Sequence, residues 1–253
     1  MAEEIILETR GLTKEFKGFT AVKDVNLQVR RGSIHALIGP NGAGKTTCFN
    51  LLTHFLEPTR GQIFYKGREI TGSSPSAIAR MGLVRSFQIS AVFPHLTVLE
   101  NVRIALQSKA TRGASFGFWV SDKSLRKLDA PARELVDAVG LSDFAETVAV
   151  ELSYGRKRAL EIATTLALDP EMMLLDEPTA GMAHADVERI AALVKRVAAN
   201  RTVLMVEHNL SVVSTLSDRI TVLQRGEILA EGDYAAVSSD PRVVEAYLGG
   251  GHA

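Results

Sequence analysis

The spacing of hydrophobic and polar positions divides the chain into three stretches. In the first, Ile5 to Thr9 and Ala21 to Val29 read as strands, with Lys17-Gly18 marking a turn between them. Ser33 to Ile38 is a short apolar run that ends in a glycine-rich turn, and Lys45 to Phe55 is compatible with a helix. Ile63 to Lys66 reads as another short strand, closed by Gly67. The second stretch, from about Ile89 to Leu152, lacks a strong strand signal. It carries helical-period segments at Val98 to Leu106 and at Ala132 to Val139, the latter opened by Pro131 and closed by Gly140. Ser108 to Ser124, rich in Gly and Ser, reads as a loop or short insertion. The third stretch alternates again. Leu160 to Leu168 is helical, Met172 to Leu175 a buried strand and Asp186 to Ala199 an amphipathic helix. Thr202 to Val206 and Arg219 to Leu223 are strands, and Gln224-Arg225-Gly226 turns into a strand at Glu227 to Ala230.

Strands alternating with helices at this spacing predict an α/β fold with a mostly parallel sheet covered on both faces. The expected organisation is a single domain, 1–253, with its core in 1–88 and 153–253 and a helical subdomain inserted at 89–152. Composition agrees: 253 residues, 46% apolar and 23% charged, suit one large α/β domain and exclude a disordered chain. Lys plus Arg and Asp plus Glu both total 29, so the net basic balance that favours nucleic acid is absent, and no nucleic-acid partner is expected. The lone cysteine, Cys48, excludes an internal disulfide framework and reads as a buried small hydrophobe. The longest stretch without Asp, Glu, Lys or Arg is Ser86 to Leu99, 14 residues, short of the roughly 18 a membrane span needs. The opening MAEEIILETR carries acids where a secretory signal has bases, so a cytoplasmic location is expected.

The chemistry begins at Gly39 to Thr46, GPNGAGKT, which matches GxxxxGK[ST] between a strand and a helix. Backbone N–H groups of such a loop cradle phosphates, Lys45 reaches the β/γ oxygens, and the Thr46 hydroxyl ligates Mg²⁺. The helix that follows aims its positive dipole end at the same anion. MMLLDE, Met172 to Glu177, places Asp176 at the C-terminal end of a buried strand, where open α/β sheets bind ligands. Asp176 is expected to hold Mg²⁺ and Glu177 to polarise the attacking water. His208, two residues beyond the strand ending at Val206, is placed to touch a γ-phosphate. Two acids ending a strand, or a lone histidine, are usually structural; together with the phosphate loop in one sheet they read as a nucleotide site.

Between these motifs lies LSYGRKR, Leu152 to Arg158. With it the chain resembles the ATP-binding-cassette (ABC) ATPases, whose signature reads LSGGQ, along essentially its whole length. The resemblance implies a P-loop NTPase cassette with a mostly parallel core sheet, an N-terminal antiparallel β subdomain and an inserted helical subdomain carrying the signature at its end. It implies an adenine-stacking aromatic at Phe16 in LTKEF and a Q-loop glutamine at Gln88 in VRSFQ, which touches Mg²⁺ or water and faces the transmembrane subunit. The ATP contacts are then Phe16, Gly39, Pro40, Asn41, Gly42, Ala43, Gly44, Lys45, Thr46, Thr47 and Gln88, with Thr46, Gln88 and Asp176 on the metal and Glu177 and His208 catalytic. Ser153, Tyr154 and Gly155, capping a helix, would contact ATP bound by a second cassette, a copy of this chain or a related one. Two departures stand out: Arg156 replaces the signature glutamine, and in EPTAGMA Ala183 replaces the D-loop aspartate.

IARMGLVRSFQ, VEHNLSVV and DPRVVEAYLG resemble more narrowly the branched-chain or hydrophobic amino-acid uptake ATPases of bacteria. That implies permease subunits, a solute-binding protein acting indirectly, and transport powered by ATP-driven closure of the cassette dimer. Urea, amide and aromatic-acid importers are similar. The lipopolysaccharide-export cassette shares GPNGAGKTT and a similar tail, and RMGLVRSFQ argues against it. A soluble nucleic-acid- or ribosome-binding cassette would commonly carry two cassettes or a coiled-coil insertion. A regulator without turnover would be missing Glu177 or His208.

Overall fold

The computed structural model describes residues 4–86, 92–110 and 127–248. These fall into two compact units: the N-terminal segment through Arg85 together with 171–180 and 194–248, and 86–170 together with 181–193. Gln88 and most of Ser108 to Ser124 lie outside the described residues.

The first unit holds two sheets. One is antiparallel and is built on β1 (Ile5–Phe16), which pairs with β2 (Phe19–Val25), β3 (Gln28–Arg30) and β5 (Arg60–Tyr65); β5 also pairs with β6 (Arg68–Glu69). The expected strand Ala21 to Val29 is divided in two. Asp24 adopts a left-handed φ of 49°, and the Asn26 side chain accepts from Gly11 N–H and donates to Asp24 C=O, so the chain turns there. β1 runs past Thr9 because register shifts between Arg10 and Thr13 interrupt the alternation without ending the pairing.

The second sheet has the order β11-β10-β4-β9-β8-β7, formed by β4 (Ile34–Ile38), β7 (Leu83–Arg85), β8 (Met172–Asp176), β9 (Thr202–Val206), β10 (Arg219–Gln224) and β11 (Glu227–Gly232). Every pairing is parallel except β10 with β11. β4, β8 and β9 are buried along their whole length, as strands covered on both faces must be.

Helix α1 (Lys45–Leu52) buries Cys48, Phe49, Leu51 and Leu52 in one cluster with Leu7 and Leu12 of β1, Leu174 of β8 and Leu204 of β9. Fully burying a side chain such as Leu or Phe contributes about 1.5–3 kcal/mol. Cys48 is wholly buried, which pushes its thiol up to about 12, so it behaves as the expected inert hydrophobe. α1 stops three residues before the expected Phe55, because the Thr53 hydroxyl turns back on Phe49 C=O and His54 takes a left-handed φ. Three short elements gave no sequence signal: β6, β7 and α2 (Pro75–Arg80), whose Ser74 cap accepts from Ala77 N–H ahead of Pro75.

The second unit is built on α3 (Val98–Ala110), α4 (Asp129–Ala138) and α5 (Tyr154–Ala167), which pack on one another. Thr97 and Glu100 form a reciprocal cap at α3: the Glu100 carboxylate accepts from Thr97 N–H, and Thr97 Oγ1 accepts from Glu100 N–H. α5 begins at Tyr154, ahead of the apolar run at Leu160 and with Ser153 at its N-cap position as the signature leads one to expect, and its contacts group it with α3 and α4. α6 (His184–Ala198) begins in this unit. Three helices follow β9 and its neighbours in the first unit: α7 (Leu210–Leu216), α8 (Tyr234–Ser239) and α9 (Pro241–Leu248). No helix among the described residues is long and apolar enough to cross a membrane.

Candidate active site

The loop from Gly39 to Gly44 joins β4 to α1, as expected of a phosphate cradle. Its glycines answer a steric demand. A Cβ on Gly39 would lie 2.1 Å from Leu223 C=O, and one on Gly44, at φ 101°, 2.4 Å from Ala21 C=O. α1 carries no acidic side chain in its first turn and no side-chain cap, which leaves its positive end open to an anion. Thr46, Asn41 and Gly42 are exposed, while Ala43 and Gly39 are buried.

Lys45 folds back over this loop. Its ammonium donates to Gly39 C=O at 2.7 Å and Pro40 C=O at 3.0 Å. Burial lowers its pKa, and the nearby carboxylates of Glu177 and Asp176 oppose that effect. The two acids of MMLLDE and the phosphate-loop lysine therefore share one electrostatic environment.

Asp176 ends β8 and is buried. Its carboxylate pairs with Arg85 at the end of β7, and Arg85 also donates to Asn50 of α1 at 2.5 Å. Glu177 follows at a left-handed φ of 46°, and its N–H donates to Val206 C=O at 2.9 Å. That turn brings its carboxylate to His208, whose Nε2 lies 2.6 Å from Glu177 Oε1 although 31 residues separate them. Both side chains are partly exposed, 36% and 41%, so the pair remains open to a ligand and to water. Phe16, 42% exposed at the end of β1, carries the Lys14 ammonium 5.1 Å from its ring centre and offers a free aromatic face.

In the second unit, Ser153 is the N-cap position of α5, with extended φ and ψ. Its side chain makes no capping hydrogen bond, and Ser153 and Tyr154 are exposed while Gly155 is buried. A Cβ on Gly155 would lie 2.7 Å from Asp186 Cγ. Arg156 stacks its guanidinium over the Phe144 ring at 3.8 Å, so the residue that departs from the signature glutamine is anchored to the neighbouring turn. Ala183, the other departure, is exposed, and its C=O accepts from the first turn of α6.

Comparison with known proteins accords with this geometry. The family model described as "ABC transporter" matches residues 22–180, more than half of the chain. The chain belongs to the ABC transporter family. A second model, "Branched-chain amino acid ATP-binding cassette transporter", matches 227–253 of this cassette. The cassette is 39% identical over 249 residues to the high-affinity branched-chain amino acid transport ATP-binding protein BraF of Pseudomonas aeruginosa, covering 96% of this chain and 98% of that one. It is 38% identical to LivG of Escherichia coli, with the same coverage. Among solved structures, a nucleotide-free cassette from an ABC transporter is similar at TM-score 0.84 and 32% identity, covering 96% of this chain and 99% of that one. The ADP conformation of MJ1267 is similar at TM-score 0.85 and 30% identity, covering 97% and 99%. The cassette is thus an ABC ATPase of α/β fold that binds adenine nucleotide.

Three residues of the site were given no role from the sequence: Arg85, which pairs with Asp176, and Thr179 and Glu207, whose side chains hydrogen-bond to each other between the loops after β8 and β9. Glu207 did leave a trace, an acid directly after the apolar strand Thr202 to Val206, the same pattern that singled out Asp176.

Proposed function

We propose that this cassette is the ATP-hydrolysing subunit of a bacterial importer for branched-chain or other hydrophobic amino acids. The observation that carries the hydrolytic reading is the 2.6 Å contact between Glu177 and His208, on loops at the C-terminal ends of β8 and β9. A carboxylate held against an imidazole can accept a proton from water and stay oriented. Lys45, already desolvated, exchanges the carbonyls of Gly39 and Pro40 for β/γ-phosphate oxygens. The backbone from Gly39 to Thr47 holds the triphosphate, and Phe16 stacks on the adenine. Asp176 and Thr46 supply the hard oxygen donors that Mg²⁺ prefers, and these would hold it, joined by Gln88. When bound, that ion offsets phosphate charge. His208 senses the γ-phosphate through the same imidazole that orients Glu177.

Ser153, Tyr154 and Gly155 are assigned to the nucleotide of a second cassette, identical or related. Support comes from the exposed serine, whose hydroxyl is not spent on its own helix, and from a solved dimeric cassette bound to ADP and Pi, 28% identical at TM-score 0.75 and covering 90% of this chain and 98% of that one. The cargo assignment rests on the branched-chain relatives and on the matched tail at 227–253. Permease subunits would then hold the cassette at the cytoplasmic face of the membrane, with a solute-binding protein acting from the far side.

Glu177→Gln tests the core of this reading. It should retain ATP binding, accumulate an ATP-bound dimer and lose hydrolysis by on the order of 10²-fold or more. Hydrolysis at the parental rate would remove Glu177 from its role. For the cargo, the cassette purified with its permease should show ATPase stimulation by leucine-loaded binding protein. Stimulation by urea, an amide or an aromatic acid instead would reassign the solute.

A further inference from the structure

The loop after β8 and the loop after β9 are joined by a buried carboxylate that the reading above does not use. Glu207 is 2% exposed and accepts four hydrogen bonds. Oε1 takes Thr179 N–H at 3.0 Å and the Thr179 hydroxyl; Oε2 takes His208 N–H at 2.8 Å and Asn209 N–H at 3.1 Å. Each oxygen therefore serves one loop, and each loop bears one of the two groups that meet at 2.6 Å, Glu177 and His208. Asn209 in turn caps α7 by accepting from Ser211 and Val212 N–H, so the second loop is tied to a helix as well.

We propose that Glu207 is a positioning residue for ATP hydrolysis: its carboxylate clips the Glu177 loop to the His208 loop and sets the Glu177–His208 contact. The inference rests on the catalytic roles proposed for those two residues. A buried carboxylate with every hydrogen bond made is rigid, because breaking any one of them leaves a desolvated oxygen or N–H unpaired. Only a group with two acceptor oxygens can serve both loops at once. A glutamine of the same size offers one acceptor, and its NH₂ must face donors at the other loop.

The experiment measures ATPase and nucleotide affinity of the full-length cassette assembled with its permease subunits, for E207Q, T179V and T179S. E207Q should lower kcat at least tenfold and leave KM for ATP within about twofold. T179V, which removes one donor, should lower kcat several-fold, and T179S, which restores the hydroxyl, should recover most of it. Added to E177Q or to H208A, E207Q should cause no further loss, since the contact it sets is already broken. Parental kcat in E207Q, equal rates in T179V and T179S, or losses that multiply in the double variants would each overturn the proposal. If E207Q does not fold, the threonine pair decides alone. E177Q as a single variant tests the underlying reading separately.

Discussion

Arg85 and Asp176, 91 residues apart, form an ion pair at the ends of the neighbouring strands β7 and β8, with side chains only 13% and 8% exposed. The guanidinium is held from its other side by Asn50 of α1 and lies 5.7 Å from the Phe49 ring centre. The carboxylate proposed to face Mg²⁺ is thus oriented by a residue that the motif does not contain.

Removing Arg85 takes the guanidinium from a carboxylate that stays buried. R85A should cost about 3–5 kcal/mol of stability, the usual penalty for breaking a buried pair on one side. R85A with D176N should recover part of that. Urea denaturation of the parent protein and these two variants checks both statements.

At Gly44, φ is 101° and a Cβ would meet Ala21 C=O at 2.4 Å. G44A must therefore move either the loop or β2. Nucleotide affinity should fall at least tenfold in an equilibrium titration, while a substitution at exposed Lys17, in the β1–β2 turn, should leave it unchanged.

Ser153 stands at a helix N-cap without making the cap bond. Replacing a working cap by alanine costs about 1 kcal/mol. S153A should therefore change thermal stability by less than about 0.5 kcal/mol, yet reduce ATP-driven dimerisation and hydrolysis. A stability loss near 1 kcal/mol with full ATPase activity would mark Ser153 as an ordinary cap.

His35 on β4 is wholly buried; its Nε2 lies 2.8 Å from Thr221 Oγ1, and Nδ1 makes no hydrogen bond. Burial lowers its pKa from 6.5 to about 4. The unfolded chain takes up this proton near pH 6.5 and the folded chain only near pH 4, so the unfolded state holds more protons between those values. The contribution is fully present above pH 6.5 and is lost as pH falls towards 4, amounting to about 3 kcal/mol. H35Q should flatten stability over that window by about this much, measured by denaturant midpoints from pH 7 to pH 4.

Local pattern was sufficient for much of the molecule. Apolar runs such as Met172 to Leu175 and Thr202 to Val206 read as buried strands, and GPNGAGKT reads as a tight loop opening a helix, because glycine spacing and hydrophobic patterning act over a few residues. The same locality explains the losses. β6 and β7 are too short to show a period, and the break at Asn26 depends on Gly11, a residue on another strand.

Pairings across the sheet lie beyond that reach. Which side chain faces Asp176, which carboxylate binds Thr179, and that Glu177 meets His208 all follow from the strand order β4-β9-β8-β7, which brings together loops 28 to 91 residues apart. Strand order is a property of the whole packed core rather than of any segment. The chain's chemistry was therefore visible in its letters, whereas the partners that orient that chemistry came into being only when the strands packed side by side in this order.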